Sequence, residues 1–240
     1  MQPGSPQDRS GDGLRVVDLS NVPLYRPAMR RIGVSSAPMT KPKLIYFDAP
    51  VSRGEECRLA LHVAGIDFDD VRVKPADWPA MKAQTPYGAM PVLELPGKPA
   101  LAHSNAILAL IGRRHGMHPA DDFEAAQHEG MMQHVEDMRL VIGPTLRMGE
   151  AEKKTARQAL VAAFLPAWAS AAERNIPGGP FFAGTKLNVV DIKLHMAVRW
   201  FIGGNVDHIP ATIFDAYPKL MAVYAAVRDH AGVKAWYAKT

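Results

Sequence analysis

The 240 residues contain a single cysteine, Cys57. One cysteine cannot close an internal disulfide or build a cysteine-rich zinc site, so a stapled secreted scaffold is excluded. No apolar run approaches the ~18 residues that read as a membrane span. The nucleotide signatures G-x-G-x-x-G and the P-loop are missing. An apolar leader with a small-residue cleavage site is also missing, so no secretory signal is expected and the chain is assigned to the cytoplasm. Nor does one sign of charge dominate: 28 Lys and Arg face 24 Asp and Glu, for a net +4. The basic residues are interleaved with acids, which makes a mixed solvated surface and argues against a nucleic-acid partner.

What is present is ordinary globular material, 48% hydrophobic and 22% charged. A chain of this length buries roughly 70–75% of its unfolded surface and needs no metal or disulfide staple. Residues 1–40 differ. Pro3, Pro6, Pro23, Pro27 and Pro38, with Gly4, Gly11, Gly13 and Gly33, leave no apolar periodicity, and a disordered tail is expected there. Translation starting at Met39 is a further expectation, since Met39-Thr40-Lys41-Pro42-Lys43 leads straight into the first strand pattern.

From Lys43 the pattern is regular. Strands are expected at Lys43–Phe47, Phe68–Val73, Met90–Leu95 and Ala100–Ala102, with helices at Arg53–Ala64, Asp77–Lys82 and, capped by Ser104, through Arg114. The order β-α-β-α-β-β-α requires both parallel and antiparallel pairs, hence an α+β domain over residues 41–115. Residues 121–240 read as all-helical. Phe123–Leu146 and Ala151–Arg174 are long candidates, the second bent at Pro166. Asn188 and Asp191 form a capping-box variant opening a helix to Gly203. Two shorter helices, Tyr217–Asp229 and Val233–Ala238, follow.

Several local motifs fall in one order. Tyr46-Phe47 ends the first strand, and Arg53-Gly54-Glu55-Glu56-Cys57-Arg58 opens the first helix. Ala76-Asp77-Trp78-Pro79 with Lys82 follows, then Pro86-Tyr87-Gly88-Ala89-Met90-Pro91-Val92-Leu93-Glu94, Ser104, and the Asn188…Asp191 cap. Together they resemble the cytosolic glutathione S-transferase family, in its tyrosine-type, sigma-like class and with the look of a bacterial member. The resemblance spans residues 43–238. It implies a thioredoxin-like N-terminal domain that binds glutathione as co-substrate, an all-helical C-terminal domain that supplies much of the second-substrate pocket, and a homodimer serving detoxification.

Within that resemblance each residue has an implied role and a plainer alternative. A free thiol has a pKa of about 8.5, so its thiolate is scarce at neutral pH. Tyr46 is implied as the donor whose O–H stabilises the glutathione thiolate. Lowering the thiol pKa by ~2 units takes about 2.7 kcal/mol, within reach of a charge-assisted hydrogen bond plus a positive field. Otherwise Tyr46 is a packed strand aromatic. Ser52, at the start of the first helix, is the second candidate activator, or a loop serine. Arg53 adds positive field near the sulfur, or is solvated. The Asp48–Val51 loop reads as one residue longer than usual for the class.

Met90 is implied to pair its backbone with the cysteinyl portion of glutathione, followed by a cis Pro91; a trans proline opening an edge strand is the alternative. Ser104 is implied to hold the γ-glutamyl carboxylate. His103 stands where the family usually carries glutamine, a group able to change charge near neutrality. Trp78 and Lys82 are implied contacts to the glycyl end, or a core tryptophan and a surface lysine. Glu136-Asp137 lie where an acid could reach the partner subunit's glutathione, with Asp137 the chosen residue; a solvated pair is the alternative.

Cys57 shares a face with Ala60, Leu61 and Ala64 and reads as core. Asp191 reads as structural. The nine histidines show no metal pattern, since His115 and His118 lie in a Gly/Pro-containing linker, and no metal is expected. Pro50, Val51, Met138 and Ile142 are candidate lining for an apolar electrophilic second substrate. Two other functions remain open: a glutathione-dependent peroxidase or isomerase, and a non-catalytic ligand carrier or structural protein of the same fold.

Overall fold

The computed structural model describes residues 41–239, so the expectations for 1–40 lie outside the described residues. Alternation along β1 (Lys43–Phe47) sends Leu44 and Tyr46 to one face of a sheet and Ile45 to the other. β1 pairs in parallel with β2 (Asp69–Val73) and antiparallel with β3 (Val92–Glu94). β3 in turn pairs antiparallel with β4 (Leu101–Ala102), giving the order β2-β1-β3-β4. A parallel pair needs a crossover, and α1 (Ser52–Val63) is that crossover. It stops where Gly65, at φ 71°, donates its N–H to the His62 carbonyl.

The two sheet faces are covered differently. α1 and α3 (Ser104–His115) pack on the face carrying Leu44 and Leu93, with Leu59, Ile107 and Leu108 fully buried. On the other face Ile45, Val73, Val92 and Ala102 form a small separate cluster, covered by Met90 and by Trp78 and Met81 of the short α2 (Trp78–Lys82). This layering is the expected thioredoxin-like α/β domain, and an all-helical region follows it.

α4 (Asp122–Ile142) opens with the Asp121 carboxylate accepting from the N–H groups of Phe123 and Glu124 at 3.0 and 2.9 Å. It is shorter than the expected Phe123–Leu146. Pro144 has no N–H to return to the preceding turn, and the chain tightens into a 3₁₀ segment at Gly143–Arg147. The expected bend at Pro166 takes the form of a wide turn. α5 (Glu150–Ala159) runs through a π-type segment at Leu160–Phe164 into α6 (Leu165–Asn175), immediately before the residue that cannot donate.

α7 (Val189–Ile202) is buried along nearly its whole length. The Asp191 carboxylate ties down its start, accepting from the N–H groups of Asn188 at 2.7 Å and Phe182 at 2.6 Å, while burial pushes its pKa up to about 7. α8 (Pro218–Asp229) and α9 (Ala231–Tyr237) finish the chain. One apolar core runs without interruption from Leu44 and Leu61 through Val135 and Trp168 to Phe201 and Phe214. α9 docks back on α1, where Trp236 Nε1 donates to Glu55 Oε1 at 2.7 Å. Among the described residues, no helix is long and apolar enough to cross a membrane.

Candidate functional site

Sheet register gathers the predicted residues. Ile45 pairs with Val92, and Val92 with Ala102. Carried one residue further, the same register sets Tyr46 beside Pro91 and Pro91 beside His103, with Ser104 opening α3 next to them. The Met90-Pro91 peptide is cis. One rim of the sheet thus holds Tyr46, Met90, Pro91, His103 and Ser104, and the start of α1 brings Ser52 and Arg53 to it.

Tyr46 is 8% exposed. Its ring lies directly on α1 at Gly54: a Cβ there would fall 1.9 Å from Tyr46 Cδ1. Burial pushes the phenol pKa up, while the Arg53 charge and hydrogen bonding with Ser52 oppose that push. At neutral pH the group is therefore a protonated donor. Ser52 is the first residue of α1 and sits at φ 58°, a backbone conformation that costs a β-carbon-bearing residue about 1 kcal/mol or more.

Arg58 holds the loop after Tyr46 from beneath. Its guanidinium is fully buried and donates to the carbonyls of Phe47 at 3.0 Å and Ala49 at 2.9 Å, and to Asp70 Oδ1 at 2.9 Å. Ala49 belongs to the Asp48–Val51 loop, Phe47 ends β1 just before it, and Asp70 lies on the neighbouring β2. Sequence reasoning quoted Gly54 and Arg58 within a motif but assigned neither a task.

Arg53 reaches away from the sheet to the helical region, with Nε 2.8 Å and Nη2 2.7 Å from Glu136 Oε2. Glu136 in turn accepts from Arg139 at 2.8 Å and from Lys193 at 2.6 Å. Fully buried Glu56 accepts from Arg139 at 3.0 Å and Lys193 at 2.8 Å. Despite opposing desolvation, Lys193 and the arginines hold Glu136 down to about 2 and keep Glu56 below the usual carboxylate range. Three cations and two carboxylates from α1, α4 and α7 thus form one cluster beside the rim. Arg139 and Lys193 escaped sequence reasoning, and Glu56 was quoted within a motif without a task. The signal was there: charged residues of opposite sign stand at core-facing positions of otherwise apolar helices.

Other predicted residues sit further out. Trp78 is half-buried, edge-on to Phe47 with ring centroids 6.0 Å apart. Lys82 is exposed, its stem running past Gly88 in the turn before Met90. His103 is exposed at φ 70° and stacks on Tyr87, with ring centroids 4.9 Å apart at 22°. Ser104 does not cap α3 as expected. It is the first helical residue, His103 occupies the cap position without a side-chain cap bond, and Ser104 Oγ instead accepts from Lys193 at 3.3 Å. Asp137 faces away from the charged cluster, since adjacent helical residues point about 100° apart. It is exposed and accepts from Gln133 at 3.0 Å.

Met138 and Ile142 are core residues with no exposed surface, so they cannot line a pocket; Leu140, four residues after Glu136 on α4, is exposed. Cys57 is fully buried and its thiol pKa is pushed well up, which leaves it inert. Elsewhere among the described residues, Glu150, Asp207 and His208 bring three potential metal ligands within 4.8 Å of one another. Lys153 and Arg157 already pair with those carboxylates, at 3.3 Å from Glu150 and 3.2 and 2.7 Å from Asp207.

Residues 47–119 match the family description "Glutathione S-transferase, N-terminal domain", and residues 136–240 match "Glutathione S-transferase, C-terminal domain". Glutathione S-transferase 1 of Ascaris suum is 39% identical over 110 residues, which are 46% of this chain and about half, 52%, of that protein. Probable glutathione S-transferase 7 of Caenorhabditis elegans is 29% identical over 201 residues, covering 81% of this chain and 94% of that one. Among solved structures, prostaglandin synthase D of Nilaparvata lugens superposes with a TM-score of 0.74 at 28% identity, covering 83% of this chain and 98% of that one.

Proposed function

The chain belongs to the glutathione S-transferase family, and from that premise we propose that it activates reduced glutathione through Tyr46 for attack on an apolar electrophile. The observation that carries this reading is the placement of a buried, protonated phenol at the sheet rim, with Arg53 as the leading opposing positive charge. The thiol gives its proton to solvent. Tyr46 keeps its own and donates a hydrogen bond to the thiolate, which forms a bond to the electrophilic carbon as the leaving group departs. Arg53 supplies field, and Ser52 is a second donor at the same end.

The remaining residues hold the tripeptide. Met90, ahead of Pro91, offers its backbone to the cysteinyl unit as an added strand does. Ser104 and His103 take the γ-glutamyl end, and Trp78 and Lys82 take the glycyl end. Exposed Val51 and Leu140 line the entry for the second substrate. Asp137 serves the partner subunit of a homodimer. In support, its bonded neighbour Gln133 lines a groove of about 570 Å³ with Leu101, Asn105 and Ala106, a surface between α3 and α4 that a second copy could cover.

A second reading uses the same thiolate for isomerisation and is favoured by the likeness to the prostaglandin synthase D of Nilaparvata lugens. Steady-state conjugation of a nitroaromatic acceptor, with calorimetry for glutathione, tests the transferase reading. Turnover that depends on Tyr46 supports it. Binding without turnover on several electrophiles replaces it with a carrier, and absence of glutathione binding overturns it.

A further inference from the structure

We propose that Lys193, from the helical region, is a positioning residue for glutathione: it turns the Ser104 hydroxyl proton outward, toward the ligand's γ-glutamyl carboxylate. The inference rests on the glutathione reading above.

The argument is a count of donors. A lysine ammonium has three N–H donors and no acceptor. Lys193 is fully buried and finds three acceptors: Glu136 Oε1 at 2.6 Å, Glu56 Oε1 at 2.8 Å and Ser104 Oγ at 3.3 Å. In the Lys193–Ser104 contact the serine oxygen therefore accepts, which leaves its own O–H to be placed. Among the described residues the Ser104 hydroxyl donates no hydrogen bond, although Ser104 is only 3% exposed. A buried hydroxyl normally finds a partner, so this one is arranged for an acceptor that arrives from outside. It stands at the first position of a twelve-residue helix, where the backbone N–H groups also point at an incoming anion.

The rest of the cluster makes the arrangement rigid. Glu56 and Glu136 anchor Lys193, Arg139 bridges both carboxylates, and Arg53 ties the same Glu136 to the Tyr46 end of the rim. A hydroxyl fixed by a cation on its oxygen is also a more polarised donor than a free rotor. One network, drawn from α1, α4 and α7, thus orients the carboxylate contact at the γ-glutamyl end of glutathione and the positive field near its sulfur.

Calorimetric titration of the full chain with reduced glutathione tests this, using the native protein, Ser104→Ala, Lys193→Met and the double variant. Each single change is expected to weaken binding roughly tenfold, the size of one charge-assisted hydrogen bond. The double variant is expected to be no weaker than Ser104→Ala by more than about twofold, because both changes remove one contact. Lys193→Met is also expected to cost nothing toward glutathione amidated at its γ-glutamyl carboxylate. A merely structural lysine would not give this selectivity. Should Lys193→Met unfold, Glu56→Gln with Lys193→Met removes one charge of each sign, and the same affinities are read in that background. Native-like affinity in a folded Lys193 variant, or losses that multiply in the double variant, overturns the proposal. Failure of the native protein to bind glutathione overturns the functional reading itself, and the inference with it.

Discussion

The Tyr46 ring occupies the space a side chain would need at Gly54, with Cδ1, Cγ and Cβ 1.9, 2.2 and 2.7 Å from where a Cβ would lie. Alanine would raise helix propensity by about 1 kcal/mol. It would also drive a methyl group into a ring held between strand and helix. Overpacking wins, and Gly54→Ala is expected to lower stability by about 1–3 kcal/mol and to misplace the phenol. Urea midpoints and conjugation rates check both. A variant as stable and active as the native chain contradicts this packing.

Tyr46→Phe keeps the ring and removes the O–H. Turnover is expected to fall roughly 100-fold, the equivalent of ~2 units of thiol pKa, with glutathione affinity nearly unchanged. Ultraviolet titration of the bound thiolate should show its pKa rising by about the same ~2 units. An unchanged thiolate pKa in this variant would move the role to Ser52.

Glu136 sets an acid limb on stability. Its pKa is about 2 in the folded chain against an ordinary 4.5, so the folded state binds this proton less readily than the unfolded one. The stabilisation is present above pH 4.5 and is lost as pH falls toward about 2; it amounts to roughly 3 kcal/mol at most. Glu136→Gln is expected to lower stability at neutral pH and to flatten this limb. Denaturant midpoints from pH 2 to 7 measure it, and an unchanged slope counts against the cluster.

Arg58 is buried and donates to the Phe47 and Ala49 carbonyls, to Asp70 and to Glu55. Arg58→Met would leave the Phe47 and Ala49 carbonyls without this donor and is expected to cost about 3–5 kcal/mol. Because the freed loop carries Val51 and Ser52, activity should fall more than glutathione affinity. A melting curve with paired kcat and KM values separates the two effects.

Much of the fold was legible because its signals are local. The Lys43–Phe47 strand pattern and the Asn188…Asp191 spacing each act within a few residues, and β1 and α7 fall where those patterns put them. Two of the differences in the helical region fall at prolines. Pro144 converted the end of α4 to a 3₁₀ segment, and Pro166 turned an expected bend into a π-type turn. The rim of Tyr46, Pro91 and Ser104 was legible as a motif series, but the network behind it was not. Lys193 and Glu56 are 137 residues apart, and nothing local says that an ammonium in an apolar helix will meet two carboxylates and a serine.

The lone cysteine, the missing nucleotide motifs and the ordered motif series determined by themselves the class of chain, the order of its elements and the family it belongs to. Those properties depend on composition and on spacing within a strand or a turn. Tertiary structure decided which side chains share space. It placed Gly54 beneath Tyr46, put Glu136 rather than Asp137 in the charged cluster, consigned Met138 and Ile142 to the core, and laid Lys193 against Ser104. Such outcomes depend on packing between segments far apart in the chain, where desolvation makes a buried charge such as Lys193 take partners brought by other elements.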